Sequence, residues 1–348
     1  MRRPRLPDEA SQPGWCRFVV GLIPPQVFKD ALGLAMAISL SASVLAKDFT
    51  AVTADHSLVF PSDTGAHPDY RMEWWYVTGW LNDETGTERG FQVTFFRVAT
   101  GLGADNPSRF APRQLILAHA AIADPAIGHL LQAERAERGL EPLTGAVLDR
   151  TRAWIKDWEL TMDGGQYHTR IASEAFALDL NLTSTVPPIL NGKGGFSQKS
   201  PDMDHASYYY SIPQLEVKGK VRLNDGDHQV SGRAWLDHEW SSELLSKEIQ
   251  GWDWIGINLY AGGSLMAFQM RHQDGSVIWS ASTLSEASGS VRHLTPSQVR
   301  FHPLRFWQSP RTGKAYPVIW GLEIDGYSWQ ILPLMEDQEL DGRHSTGV

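Results

Sequence analysis

The sequence has almost no cysteine, no excess of basic residues and no apolar run of transmembrane length. Cys16 is its one cysteine, so a chain cleaved beyond it has no disulfide, thiol nucleophile or thiolate metal ligand. Lys and Arg number 31 against 40 Asp and Glu, a formal charge of −9, which argues against nucleic acids and anionic membrane surfaces as partners. The uncharged segment 31–45 (ALGLAMAISLSASVL) is shorter than the roughly 20 residues that span a bilayer.

Residues 1–46 predict an export signal instead. Basic residues precede the short apolar segment, and Val44 and Ala46 are the small residues expected before a cut after Ala46. An uncleaved anchor is the alternative. Residues 1–46 hold five basic and three acidic residues, so cleavage leaves 26 Lys and Arg against 37 Asp and Glu, a charge of −11. We expect an exported, periplasmic or secreted protein that meets the membrane only through this signal.

The rest of the chain has the pattern of many short β-strands. Residues 217–223 and 230–235 alternate around the turn sequence 224–227 (NDGD), which predicts a hairpin. Further strands are predicted at 91–95, 115–122, 154–162, 167–172, 175–182, 254–260, 265–271, 277–283, 299–301, 318–324 and 327–332. Residues 130–140 (LLQAERAERGL) predict one short helix. Short strands separated by turn residues are typical of sandwiches and barrels, so we expect an all-β fold.

A weak internal repeat indicates two related β-domains. Residues 74–81 (WWYVTGWL) align with 252–259 (WDWIGINL), and each is followed by a turn and a strand that ends in Arg97 or Arg271.

Segment 186–204, rich in Pro, Gly and Lys, predicts a long functional loop or a linker. We therefore expect an N-terminal domain over 47–205 and a C-terminal domain over 206–348.

Aromatic and acidic residues concentrate in three short segments. These are 73–79 (EWWYVTG), 232–240 (GRAWLDHEW) and 251–254 (GWDW). Tryptophans beside a histidine and carboxylates predict an apolar pocket with proton-transfer groups in its wall. Strand alternation divides the second segment into one face with Leu236, His238 and Trp240 and another with Trp235, Asp237 and Glu239.

Each of these residues also has a structural interpretation. Asp237 and Glu239 could cap a turn or pair with Arg233, and the Trp-rich stripes could be plain core or barrel lining.

Elsewhere, Glu73 could be a buried partner of Arg97 or Arg271. His119, in an alanine-rich strand, could be a satisfied core histidine, and 208–210 (YYY) could pack between domains or supply a pocket hydroxyl.

Five motifs, in this order, resemble those of the AttH and carotenoid 1,2-hydratase (hydroxyneurosporene synthase) family, including its "predicted secreted hydrolase" branch. The motifs are 73–79 (EWWYVTG), 118–124 (AHAAIAD), 208–211 (YYYS), 235–240 (WLDHEW) and 251–254 (GWDW). The resemblance covers roughly residues 55–348. It implies two lipocalin-like antiparallel β-barrels side by side, and the hydratase members add water to an isolated terminal C=C of an acyclic carotenoid without a redox cofactor.

Such a reaction needs a positioned acid and a site that stabilises a tertiary carbocation. His238 and Trp240 match the reactive positions of the hydratases. We expect Asp253 to be the acid, His238 a proton shuttle or water-activating base, and Trp240 and Trp252 to stabilise the cation. The full predicted catalytic set is His238, Asp253, Trp240, Asp237 and Glu239. The predicted ligand-binding set is Trp252, Trp254, Trp74, Trp75, Tyr208, Tyr210, Glu73 and His119.

The chain departs from the family in two respects. The hydratases proper work at the cytoplasmic membrane, whereas this chain is expected to be exported. It also stops at 341–348 (DGRHSTGV), where relatives continue with a final strand, so we expect a C-terminal domain truncated by a few strands.

The sequence lacks the motifs of metal hydrolases, serine hydrolases and nucleotide-binding enzymes. His238-Glu239 lacks the second histidine of a zincin, no Gly-x-Ser-x-Gly occurs, no glycine-rich phosphate loop follows a strand, and nothing marks 241–242 (SS) as nucleophilic. We expect no metal and no cofactor. The partner is expected to be a hydrophobic, isoprenoid- or lipid-like small molecule. A hydratase-like or hydrolase-like enzyme, a non-catalytic periplasmic carrier and an envelope or attachment protein all stay open, as does the oligomeric state.

Overall fold

The computed structural model describes residues 18–19, 49–103, 106–243 and 245–340. Over these ranges the chain forms β-strands and two 3₁₀ turns, Ser62–Thr64 and Pro296–Gln298, with no α-helix. Accordingly, no helix in the described part has the length and apolarity to cross a membrane. Within the predicted export signal, 1–46, the structure describes only strand β1 (Phe18–Val19), and the cut after Ala46 lies outside the described residues. The predicted truncation at 341–348 also lies outside them.

The largest sheet is nearly closed and barrel-like. Its first strands are β2 (Met72–Asp83), β3 (Glu88–Ala99), β4 (Gln114–Ala123), β5 (Leu130–Arg138), β6 (Thr144–Ala146), β7 (Arg152–Ile155) and β8 (Trp158–Asp163). The others are β9 (Gln166–Ala172), β10 (Ala177–Thr183), β11 (Ile189–Leu190), β12 (Phe196–Gln198), β13 (Ala206–Leu223) and β14 (Gly226–Ser241). The strand order is β5-β4-β3-β2-β14-β13-β10-β9-β8-β7-β6, all antiparallel, with β11 and β12 also paired to β13.

Two smaller sheets follow. The second contains β1, β15 (Gly251–Asn258), β16 (Gly263–Arg271), β17 (Val277–Glu286) and β18 (Val291–Leu294). The third contains β19 (Val299–Gln308), β20 (Ala315–Ile324) and β21 (Tyr327–Ile331). The predicted all-β class is confirmed.

Both faces of the large sheet are buried near β2 and β14. Side chains such as Trp75, Phe95 and Leu236 fill the inside of this sheet. On the opposite face, Tyr76, Tyr209 and Trp235 pack against side chains of the second sheet, among them Trp254, Met266 and Phe268. A separate cluster, which includes Ile255 and Trp320, joins the second and third sheets. Because β14 is buried on both faces, every side chain of its C-terminal half faces a protein interior.

The predicted helix at 130–140 is wrong. This segment is β5, and it pairs along its whole length with β4. Its residues favour helix locally, but Leu131 and Ala133 alternate onto the core inside the large sheet, and this packing outweighs helix propensity.

The strand predicted at 154–162 is two strands, β7 and β8, because Lys156 takes a left-handed φ of 57° in the turn between them.

The sheets change after Ser241, where β14 leads to β15. The predicted domain boundary at residue 205 falls inside the large sheet, immediately before β13. Segment 186–204 contributes the short strands β11 and β12 to β13, so part of the predicted loop is sheet.

Candidate functional site

Strand β14 separates the predicted site residues into two groups. As alternation predicts, Leu236, His238 and Trp240 face the inside of the large sheet. Trp235, Asp237 and Glu239 face the second sheet. The neighbouring strands fix this arrangement, since His238 lies between Trp75 of β2 and Tyr210 of β13 in the register.

On the inner face, four side chains form the histidine–glutamate group: His67, Glu73, Arg97 and His238. Glu73 Oε1 lies 2.6 Å from His67 Nδ1 and 2.8 Å from His238 Nε2. Glu73 Oε2 accepts hydrogen bonds from Arg97 Nε at 2.8 Å and from the His67 backbone N–H at 2.9 Å. The side chains of Glu73, Arg97 and His238 are 0% exposed and that of His67 is 15% exposed. Arg97 and Arg271 were the two structural partners predicted for Glu73. Arg97 is the one that pairs with it.

The charged side chains of this group stabilise one another's charged forms. Burial disfavours a charge on Glu73, but Arg97 and His67 outweigh it and hold the pKa of Glu73 well below its usual range. Burial likewise opposes a charge on His67, yet Glu73 and Asp63 raise the pKa of His67 above its ordinary value. Glu73 is therefore a carboxylate and can only accept hydrogen bonds.

His238 is neutral at neutral pH. Burial lowers its pKa to about 4, despite the hydrogen bond to Glu73 that opposes the shift. Its Nε2 therefore donates to Glu73, and its Nδ1 accepts from the Tyr210 hydroxyl at 3.0 Å. The Trp75 ring is stacked on His238 with 4.7 Å between centroids, and Trp240 is stacked on His67 at 3.8 Å.

On the outer face, a small cavity of about 50 Å³, which we call the recess, lies between the large sheet and the second sheet. Its lining consists of Trp74, Lys199, Tyr209, Asp237, Glu239, Leu245, Trp252, Trp254, Phe268 and Met270. This volume is large enough for a water molecule.

Asp237 is the acid of the recess. Ser211 Oγ and Trp235 Nε1 each donate to its Oδ1 at 2.6 Å. Burial outweighs these hydrogen bonds and raises the pKa of Asp237 to about 7. A large fraction of Asp237 is thus a neutral carboxylic acid at neutral pH, next to indole rings.

Glu239 lies two residues further along the same face and is held as part of a buried ion pair. Its Oε1 accepts from Lys199 Nζ at 2.8 Å and from the Ser207 hydroxyl. The Lys199 ammonium also lies over the rings of Phe268 and Tyr209, at 4.3 and 4.9 Å from their centroids. The recess therefore contains a carboxylic acid and a second carboxyl group on residues whose Cα atoms are about 7 Å apart along the strand.

A larger cavity of about 540 Å³ lies between the second and third sheets. Its wall is mostly apolar and includes Phe301, Trp307, Pro317, Val318, Trp320 and Ile331. Trp252 lines both this cavity and the recess. Asp253 is in its wall, where Arg271 binds both carboxylate oxygens at 2.6 and 2.9 Å and Gln269 donates at 2.9 Å.

A profile of the AttH-like family matches residues 51–348. The chain belongs to the AttH-like family. An AttH protein of known structure from Nitrosomonas europaea is 47% identical, with a TM-score of 0.80, over 86% of this chain and 91% of its own.

More distant similarities reach fungal proteins. Kievitone hydratase from Nectria haematococca has a TM-score of 0.62 at 14% identity, over 86% of each chain, which shows a shared fold. The dehydratase asqC of Emericella nidulans is 22% identical over 171 residues. That match covers 43% of this AttH-like chain and 43% of the dehydratase, so it spans less than half of either protein.

In this AttH-like protein Asp253 and His238 do not meet. Asp253 lines the large cavity with Arg271, whereas His238 is inside the first sheet with Glu73. The expected proton relay between Asp253 and His238 therefore has no geometric basis. Asp237 does not pair with Arg233 either, because that side chain bonds to Glu216 and to a backbone carbonyl.

The remaining predicted residues divide between the two faces. Tyr208 and Tyr210 lie inside the large sheet, while Tyr209 packs between the sheets. His119 belongs to neither group and packs edge-on against Phe96, with 5.5 Å between ring centroids.

Sequence reasoning missed His67 and Lys199. His67 lies in a turn before β2, and Lys199 follows the short strand β12. Neither position belongs to a periodic pattern, and Lys199 reaches Glu239 only because β12 pairs with β13. The one signal was the assignment of 186–204 as a functional loop.

Proposed function

We propose that this AttH-like protein adds water to an isolated C=C bond of an apolar, isoprenoid-like molecule in the recess. The observation that carries the proposal is Asp237, a carboxyl group with a pKa of about 7 in an aromatic cavity. Protonation of an alkene carbon needs an acid that still holds its proton at neutral pH, and a dry site makes such an acid from a carboxyl group.

In the proposed reaction Asp237 donates its proton to the less substituted alkene carbon, and the π electrons form the new C–H bond. The resulting tertiary carbocation lies among Trp74, Trp252 and Trp254, whose ring faces stabilise a cation by about 2 kcal/mol when desolvated. Water adds to the cation and gives a proton to the Glu239 carboxylate. Transfer of that proton through solvent to Asp237 restores the site, so the net change is addition of one water.

The larger cavity suits the remainder of the ligand. It adjoins the recess at Trp252, and its apolar wall gives a chain a place out of water. Asp253 and Arg271 are the polar pair in that wall. We infer that they orient a hydroxyl or carboxyl end of the ligand rather than transfer a proton to the alkene.

Two relatives support the reaction class. Kievitone hydratase shares the fold, and asqC matches part of the sequence; one is named for adding water and the other for removing it. Hydration and dehydration are the same reaction in opposite directions, so one acid–base pair serves both.

The inner face is a weaker choice for this step. Both ring nitrogens of His238 are engaged, by Glu73 and Tyr210, and both oxygens of Glu73 accept hydrogen bonds. Asp237, in contrast, lines a cavity.

The experiment compares wild type with Asp237→Asn and His238→Gln. Farnesol and geranylgeraniol are the probes, and their fully saturated analogues are the control ligands. We expect wild type to yield a product heavier by one water and Asp237→Asn to lose at least 100-fold in turnover, the usual effect of removing a general acid. Tryptophan-fluorescence quenching should show that Asp237→Asn still binds the alcohol within about threefold of wild type.

The controls separate the competing interpretations. His238→Gln, if folded by circular dichroism, should keep turnover within a few fold, whereas its loss with Asp237→Asn active would move the reaction to the inner face. Saturable quenching with every probe returned unchanged would contradict hydration and favour a carrier of hydrophobic ligands. Absence of quenching by any probe would contradict both.

A further inference from the structure

The histidine–glutamate group has the donors and the geometry of a metal site. Within the part of the chain that the structure describes, ligand atoms of His67, Glu73 and His238 all lie within 4.8 Å of one another. His67 Nδ1 and His238 Nε2 converge on the same oxygen, Glu73 Oε1, at 2.6 and 2.8 Å. We propose that these three residues bind a divalent transition-metal ion of the Zn²⁺ type.

The donor set fits this class of ion. Two imidazoles and one carboxylate are typical ligands of Zn²⁺ and its neighbours, at about 2.0–2.2 Å from the metal. Tetrahedral ligands at that distance are about 3.3 Å apart. Each histidine nitrogen therefore needs to move less than 1 Å away from Glu73 Oε1, and each ring loses the N–H that faces Glu73.

The surroundings orient each ligand in the way that metal sites require. The second ring nitrogen of His67 lies 3.5 Å from an Asp63 oxygen, and that of His238 lies 3.0 Å from the Tyr210 hydroxyl. Arg97 binds the other oxygen of Glu73, which leaves Oε1 for the ion. Metal-ligating histidines almost always have such an outer partner, and ligating carboxylates are hydrogen-bonded in turn.

A second observation concerns two buried donors beside the three ligands. Arg97 Nη1 and Trp240 Nε1 are buried donors with no acceptor among the described residues. Arg97 belongs to the group and binds Glu73, and Trp240 stacks on His67. Buried donors of this kind are normally satisfied. A metal-bound water or small anion would offer them an acceptor and would complete the coordination of the ion.

The ligands come from distant parts of the chain. His67 precedes β2, Glu73 is in β2, and His238 is 165 residues later in β14. A bound ion would therefore join the segment before β2 to the centre of the large sheet. We expect its main effect to be on stability, independently of the reaction proposed for the recess on the other face of β14.

The test uses the full chain after removal of metals with a chelator. Titration with Co²⁺ should produce the visible absorption of a low-coordinate Co²⁺ site, saturate at one ion per chain and quench tryptophan fluorescence, because Trp75 and Trp240 stack on the ligand rings. Zn²⁺ should remove the Co²⁺ absorption. Excess Zn²⁺ should raise the melting temperature by several degrees.

Two variants test whether the ion binds at the proposed residues. His67→Ala, in a turn outside the sheets, should abolish both the Co²⁺ absorption and the Zn²⁺-dependent rise in melting temperature. His168→Ala, a partly exposed histidine paired with Asp179, should leave both unchanged. Wild type without a Co²⁺ band at millimolar metal, or an undiminished band in His67→Ala, would overturn the proposal. The wild-type titration decides the first point even if His67→Ala does not fold, and none of these readouts depends on enzymatic activity.

Discussion

At the scale of single residues, Asp237 and His238 show how much the two faces of one strand can differ. They are adjacent in sequence and both are buried, yet burial raises the pKa of Asp237 to about 7 and lowers that of His238 to about 4. Desolvation disfavours the charged form in both cases, so it shifts an acid upward and a base downward. Two opposite shifts therefore leave His238 uncharged and about half of Asp237 uncharged at neutral pH.

The raised pKa of Asp237 makes stability depend on pH in a defined direction. The unfolded chain releases this proton near pH 3.9, whereas the folded chain holds it until about pH 7. The stabilisation is therefore complete below about pH 4 and is lost as pH rises towards 7. We expect Asp237→Asn to resemble wild type near pH 4.5 and to become the more stable protein by pH 8, with a relative gain of roughly 3–4 kcal/mol.

Urea unfolding of both proteins between these pH values measures this gain. His238 contributes in the opposite sense below about pH 6.5, but it is present in both proteins, so their difference isolates Asp237. A difference that does not change with pH would contradict the raised pKa.

The faces of β14 could be predicted from sequence, but the partners of its side chains could not. Alternation follows from strand geometry alone, and it correctly divided His238 from Asp237. His67 and Lys199 depend on pairings between distant segments. The separation of His238 from Asp253 could not be predicted either, because it depends on β15 joining a different sheet from β14.

At the scale of elements, β5 has a role that its composition does not indicate. It is the first edge of the large sheet, and its Arg135 reaches across to the far strands. The guanidinium donates to the carbonyls of Ile155 and Ala172 at 3.2 Å each, pairs with Asp157 and lies 4.5 Å from the centre of the Trp158 ring. These contacts nearly close the barrel where backbone pairing is incomplete.

Replacing this arginine should therefore destabilise the large sheet. We expect Arg135→Ala to lower the free energy of unfolding by about 2 kcal/mol, since it removes two hydrogen bonds and a cation–π contact. Arg138→Ala on the same strand is the matched control. Among the described residues Arg138 donates only to the exposed carbonyl of Phe110, at 3.3 Å, so this change should cost less than about 0.5 kcal/mol. Equal losses in urea unfolding would mean that Arg135 does not close the sheet.

Most strands were predictable because their alternation and turn residues are local properties. The β13–β14 hairpin is one example, with its turn at the predicted 224–227 segment. The segment that became β5 was not, because its helix-forming residues are in a strand only through pairing with β4.

At the scale of the whole molecule, the described residues form three sheets, and strand β14 separates two different buried environments. The large sheet encloses the histidine–glutamate group, and its outer face forms the recess with the second sheet. The second and third sheets enclose the larger cavity. The all-β class follows from the spacing of short strands, but the sequence does not determine which sheet each strand joins. The expected boundary at residue 205 lies within the large sheet, immediately before β13.

This arrangement places one side of the larger cavity under the segment 332–340. Glu336, Gln338, Glu339 and Leu340 from this segment line the cavity. Glu339 Oε1 accepts hydrogen bonds from Thr312 and Tyr316, at 2.6 and 2.8 Å, and its Oε2 pairs with Arg311 at 3.2 Å. A ligand in the cavity would thus be covered on one side by the charged segment 332–340, which the contacts of Glu339 hold in position.

The most direct test of water addition in the recess is product analysis of wild type with farnesol, first in D₂O and then in water labelled at oxygen. We expect one deuterium on the alkene carbon that receives the proton and one labelled oxygen on the adjacent tertiary carbon, with Asp237→Asn forming at least 100-fold less of this product. Wild-type protein that returns farnesol unlabelled, although fluorescence shows it bound, would contradict water addition in the recess.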